Sequence, residues 1–222
     1  MTKRGVDSLL RLMAWMSPAF PVGGFSYSGG LESAVHDRRI SDAAELRGWI
    51  TLSLTRGTLW NDAVLFAQGW SADQDAVALQ ELAELAQALA GSAERHRETV
   101  LLGDAFIEAA RAWPSAVFDI LPKSPTYPVA VGAVAAAHGI SLEDALAAYL
   151  HSGVSQLVSA GIRLSVAGQK DGVGILAALE DEIADVTQRA ASSTLDDLGS
   201  ATIIADTAPM RHEVQGTRLF RS

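Results

Sequence analysis

Apolar residues recur along most of the chain at the three-to-four-residue spacing that puts side chains on one face of a helix. Leu9, Leu10, Met13 and Met16 form one such stripe, and Leu46, Trp49, Ile50 and Leu54 another. Leu82, Leu85, Ala86 and Leu89 repeat the pattern before a break at Gly91-Ser92, and Leu102, Phe106, Ala109 and Ala110 resume it. A long helix is predicted through Leu142, Leu146, Tyr149, Leu150, Leu157 and Val158, and a later one through Leu176, Leu179, Ile183 and Val186. Four pairs, Asp42/Glu45, Ser71/Gln74, Ser141/Asp144 and Thr194/Asp197, place a small capping side chain three residues ahead of an acceptor, the signature of a helix start. Pro128 suits a first helical position, where its missing N–H costs nothing. Val129 to Ile140 is too short to span a bilayer and reads as a close-packed buried helix. Only Arg163 to Val166 alternates like a strand, with no partner in view. The pattern predicts an all-α, single-domain bundle of roughly eight to ten helices, several of them short.

Composition narrows the function. With 49% apolar and 19% charged residues, the 222-residue chain is an ordinary globular one, long for a simple four-helix bundle. Lys3 and Arg4 precede an apolar run that Asp7 and Arg11 interrupt, so no secretory leader is expected. The absence of cysteine removes disulfides and thiolate metal sites and permits a cytoplasmic location. A net charge of −9 disfavours nucleic-acid binding. The last thirteen residues differ, with Arg211, Arg218 and Arg221 against Glu213 alone. They read either as a docking segment or as a solvated end.

Familiar catalytic patterns are missing. The five histidines are scattered, His212-Glu213 lacks the second histidine of a zinc-protease helix, and the run Gly23 to Gly30 has no phosphate-loop lysine. Gly24 to Ser28 lacks the second glycine of a nucleophile elbow. Two segments remain unusual. Ser17 to Glu32 holds two prolines, four glycines and three aromatics, Phe20, Phe25 and Tyr27. It cannot continue a helix and should be partly buried, either as a tight connection or as a rigid surface for a partner. Met210 to Ser222 sets Leu219 and Phe220 between arginines, an anchor-plus-charge unit common at binding hot spots.

On these segments the chain resembles the UreF family of urease accessory proteins. Ser17, Pro18, Pro21, Gly23, Gly24, Phe25, Tyr27, Ser28, Gly30 and Glu32 match the family's loop signature. His212, Glu213, Gln215, Arg218, Leu219, Phe220 and Ser222 match its closing motif. Tyr127-Pro128-Val129-Ala130 with Gly132, Leu157 to Ala160, and Gly168-Gln169 resemble its middle and late elements. Gly29, Val173 and Gly216-Thr217 depart from the common pattern.

The resemblance implies a cytoplasmic, non-catalytic scaffold in nickel insertion, dimeric in its complex. It would bridge UreD (also called UreH) and the GTPase UreG, modulate that GTPase, and engage apo-urease. The implied division is a body, 1–209, and a docking tail, 210–222, that orders on binding UreD. His212, Glu213, Gln215, Arg218, Leu219, Phe220, Arg221 and Ser222 would face UreD. The loop residues named above would face UreG or hold the loop. Docking would bury Leu219 and Phe220, each contributing about 2 kcal/mol or more, and a Tyr27–Arg218 hydrogen bond would lock loop to tail. No catalytic residue, tightly bound cofactor or metal site is expected. Nickel would pass in transit, and Glu32, His212 and Glu213, though suitable ligands, read as structural. The competing expectations are a small-molecule enzyme or a helical ligand-binding regulator using the 17–32 loop.

Overall fold

The computed structural model describes residues 3–222, so Met1 and Thr2 of the expected body lie outside the described residues. Twelve α-helical segments follow one another: α1 Lys3–Trp15, α2 Leu31–His36, α3 Ala43–Arg56, α4 Thr58–Ser71, α5 Ala76–Ala88 and α6 Ala93–Ala110, then α7 Val117–Ile120, α8 Tyr127–Ala137, α9 Leu142–Arg163, α10 Gln169–Ala178, α11 Glu180–Ala191 and α12 Ile203–His212. Two 3-10 turns, Gly24–Ser26 and Leu195–Asp197, complete them, and no strand occurs among the described residues. Short segments such as α2 and α7 take the number past eight to ten. Arg163 to Val166 is the end of α9 and a turn.

α8 is apolar on every side, so it can be stable in water only at the centre of the molecule. Val129 to Ala135 are all buried. The neighbouring helix comes unusually close: a Cβ on Gly132 would stand 2.3 Å from the Phe66 carbonyl oxygen of α4. Only hydrogen fits there, and the backbones of α4 and α8 pack directly. α9, at about 33 Å the longest element, lays Leu146, Tyr149, Leu150, Val154 and Val158 along the core. Ser141 caps it, its hydroxyl accepting from Asp144 N–H at 3.3 Å.

Three local expectations change. Ser71 does not open a helix: its hydroxyl donates to the Ala67 carbonyl inside the last turn of α4. Asp75 caps α5 instead, accepting from Val77 and Ala78 N–H at 3.0 Å each. Asp42 caps α3 as expected, but Glu45 reaches back to Ser41. In α1, Leu9, Leu10 and Met13 are exposed, while Leu12 and Trp15 pack inward. Trp15 decides that orientation by meeting Phe106 and Trp113 edge-on at 6.0 and 5.8 Å. Among the described residues no helix is long and apolar enough to cross a membrane.

Candidate functional site

The loop after α1 is held in one conformation by its neighbours. Phe20 packs on Phe106 and Trp113. From α9, Gln156 donates to the Gly24 carbonyl at 2.7 Å and Arg163 donates to that of Phe25. Tyr27 and Ser28 turn inward, whereas Phe25 stands 71% exposed. Gly30 lies at φ 82°, and a Cβ there would meet Pro209 at 2.8 Å, so α12 can pack on the end of the loop. Gly23 is likewise left-handed, and Ser17, Pro18 and Pro21 form the turns before it.

The tail lies against this loop. Position 209/210 falls inside α12, so Met210 to His212 are the last turn of a packed helix. Arg221 N–H donates to the Ser26 carbonyl at 2.8 Å, and Ser28 donates to the Ser222 carbonyl through its N–H at 3.0 Å and through its hydroxyl. Phe220 is buried, with the Arg163 guanidinium 4.1 Å above its ring, a cation–π contact. Leu219 remains 56% exposed. Gln215 folds onto the Thr217 carbonyl, and Arg211 pairs with Asp37 at the surface.

Carboxylates join the two segments. Glu32, in the first turn of α2, accepts from Leu219 N–H at 2.7 Å and Phe220 N–H at 2.9 Å. Its Oε2 also lies 2.9 Å from Nε2 of His212, which is fully buried. The other ring nitrogen, Nδ1, is 2.7 Å from Oε2 of Glu94 on α6, whose Oε1 accepts from Arg218 at 2.8 Å. Burial opposes the charge on Glu32, but the Leu219 N–H, the imidazole and the Phe220 N–H outweigh it and hold the carboxyl below its usual range. Glu213 caps α6 from outside, its Oε1 accepting from Ala93 and Glu94 N–H at the positive end of that helix. The expected Tyr27–Arg218 bond is not formed, because Arg218 is drawn to the stronger acceptor Glu94.

Beneath this junction lies a second ionic cluster. Arg95 clasps both oxygens of Asp62 at 2.7 and 2.6 Å and approaches Glu98 at 3.4 Å. Tyr149 donates to Asp62 and the Ser222 hydroxyl donates to Glu98. Burial pushes the Glu98 carboxyl above its usual range against the pull of Arg95 and Ser222. Such groups persist inside a protein only when paired and hydrogen-bonded. Asp62, Arg95, Glu98 and Tyr149 border a cavity of about 710 Å³ that also reaches Gln156 and Ser222.

All the singled-out residues therefore lie in one region, but in different roles. Glu32, Ser28, His212, Glu213, Arg218, Phe220 and Ser222 make the junction, while Phe25, Leu219 and the Arg221 side chain point outward. Glu94, Glu98, Asp62 and Arg95 were not among the expected site residues. Asp62 had a signal, a lone acid within the apolar run Leu59 to Ala67, which must find a partner if that helix is buried. Glu94, Arg95 and Glu98 look like the solvated first turns of a helix. Chemically the arrangement is a clamp. Both ring nitrogens of His212 face carboxylates on opposite sides, so Glu32, His212 and Glu94 do not converge on one point as metal ligands would.

The UreF family model matches residues 40–180. The chain is 70% identical over 218 residues to an Agrobacterium fabrum protein named urease accessory protein UreF, covering 98% of both. It is 62% identical over 219 residues to a Rhizobium johnstonii protein of the same name, covering 99% of this chain and 98% of the relative. Against the urease accessory protein UreF 1 of Brucella canis it is 55% identical over 221 residues, covering 100% and 97%.

Proposed function

The chain belongs to the UreF family, and from that premise we propose that it is a non-catalytic scaffold in urease maturation, presenting one composite loop–tail surface to its partners. The observation that supports this most is the clamp of Glu32, His212, Glu94 and Arg218, which joins segments 180 residues apart in sequence into a single rigid face. Rigid apolar residues on a preordered face lower the cost of association. Here Phe25 and Leu219 stand out from the backbone that the clamp fixes. UreD (UreH) and UreG are the partners this reading assigns to the face, with apo-urease engaged by the assembly and GTPase modulation exerted through contact. Two copies of the chain would meet in that assembly, in the cytoplasm. Nickel would be cargo, and the acidic groups bordering the internal cavity are compatible with transit and not with tight retention.

Co-expression with UreD and UreG tests this. Wild-type chain is expected to be captured in a ternary complex, and Phe25→Ala with Leu219→Ala to weaken capture while leaving the melting temperature unchanged. Undiminished capture by that double variant moves the interface elsewhere. Absence of any complex with folded partners removes the scaffold reading.

A further inference from the structure

Beside the clamp, a surface depression of about 430 Å³ lies between α6 and the tail. α6 contributes Arg97 and Leu101, and the tail contributes Arg218 and Arg221. Glu94, the only acid on its wall among the described residues, is already engaged through both oxygens, by Arg218 and by His212. The guanidinium groups of Arg97 and Arg221 are exposed and have no ion pair or hydrogen bond among the described residues. A chain of net charge −9 thus concentrates uncompensated positive charge in one small concavity.

Tyr27 supplies a second, independent observation. It lines the same depression and is only 5% exposed, yet its hydroxyl has no hydrogen-bond partner among the described residues. Its hydroxyl is the part of the side chain that reaches the surface, at the depression, where an O–H seeks an acceptor. The loop packing that turns Tyr27 inward, and the capture of Arg218 by Glu94, leave this one without any among the described residues.

We propose that this depression is an acid-recognition pocket that receives a carboxylate side chain from an acidic segment of a partner protein, with Tyr27 donating to one carboxylate oxygen and Arg97 and Arg221 pairing with the other. This rests on the reading that the loop–tail surface docks partners, and it adds the chemistry by which one partner is recognised. Planar guanidinium groups suit a planar carboxylate. Leu101, 44% exposed on the wall, offers apolar contact to the flanking residues of a peptide and nothing to a free anion. The acidic body repels a long polyanion, whereas a short segment inserting one carboxylate feels mainly the local field, since charges beyond about 8 Å are screened at physiological salt.

The test is binding of the full chain to the purified UreD–UreG assembly across a salt series, for wild type, Tyr27→Phe, Arg97→Glu/Arg221→Glu, and Phe25→Ala/Leu219→Ala. The charge-reversed variant is expected to bind roughly thirtyfold more weakly or worse, and to lose most of the salt dependence. Tyr27→Phe is expected to bind several-fold more weakly at an unchanged melting temperature. If both bind as wild type while Phe25→Ala/Leu219→Ala does not, the pocket assignment is wrong and the scaffold reading stands. If wild type binds nothing, both fall. Millimolar inorganic phosphate provides the last arm. If it stabilises wild type and not Arg97→Glu/Arg221→Glu while both bind the assembly equally, the pocket serves a free anion and the proposal is overturned.

Discussion

Replacing Glu32 by Gln should release the tail without disturbing the core. The wild-type carboxylate accepts three charge-assisted bonds, from Leu219 N–H, Phe220 N–H and the His212 ring. Glutamine has nearly the same shape but one acceptor oxygen. Whichever way the amide is turned, its NH₂ faces a donor, and His212 loses the charge on one side. Hydrogen bonds to a charged group contribute about 1.5–3 kcal/mol each, and leaving a buried donor unpaired costs about 1–3 kcal/mol. These terms overlap, so about 3 kcal/mol for the clamp is a fair estimate, less than the sum. At 1.4 kcal/mol per decade that amounts to roughly a hundredfold more frequent opening of the tail. Hydrogen exchange should read it directly, because the amides of Leu219 and Phe220 are held by Glu32 itself and that of Ser28 by the Ser222 carbonyl. Exchange there should accelerate by about that factor, while amides of α8, buried at the centre, should change far less. Unchanged exchange at Leu219 and Phe220 would refute the reasoning that the carboxylate holds the tail.

The same clamp gives a pH dependence. Because the Glu32 carboxyl is held below its usual value of 4.5, its stabilisation is complete above that value and is lost as pH falls through the lower, folded one. Glu98 acts oppositely, since its raised carboxyl disfavours the folded state when ionised and ceases to do so on acidification. Tail exchange relative to the intrinsic amide rate should therefore increase below about pH 4.5 in wild type, and that increase should be missing from Glu32→Gln, in which Glu98 is left acting in the opposite direction. Phe220→Ala should lower stability by about 3 kcal/mol through lost burial and the lost Arg163 contact, whereas exposed Leu219→Ala should leave the unfolding free energy from urea titration within about 0.5 kcal/mol of wild type. Gly132→Ala should cost about 3 kcal/mol or more, because the added Cβ meets the Phe66 carbonyl and must force α4 from α8; a urea midpoint equal to wild type would contradict the direct packing of those backbones. Ending the chain at Pro209 should destabilise the body as well as remove the tail, since His212 and Phe220 are buried in it; an unchanged melting temperature would show the tail to be separable.

The all-α architecture was legible in the chain because helical periodicity is local: a face repeats every 3.6 residues whatever it packs against. The central place of α8 was legible for the same reason, since an all-apolar helix bounded by Pro128 and Gly139 has nowhere else to go. Loop and tail also declared themselves, one by prolines, glycines and aromatics, the other by arginines around Leu219 and Phe220. Their direct union by Glu32 and His212 was not legible. Nor was the choice of Glu94 over Tyr27 as the partner of Arg218. The reason is physical. A carboxylate in the first turn of an amphipathic helix has the same local signature whether it faces water or a buried histidine, and only the packing of α2, α6 and α12 brings residues from positions 32, 94 and 212 within 3 Å. Which apolar stripe of α1 turns inward was decided likewise, by the aromatic neighbours that Trp15 finds in the folded chain.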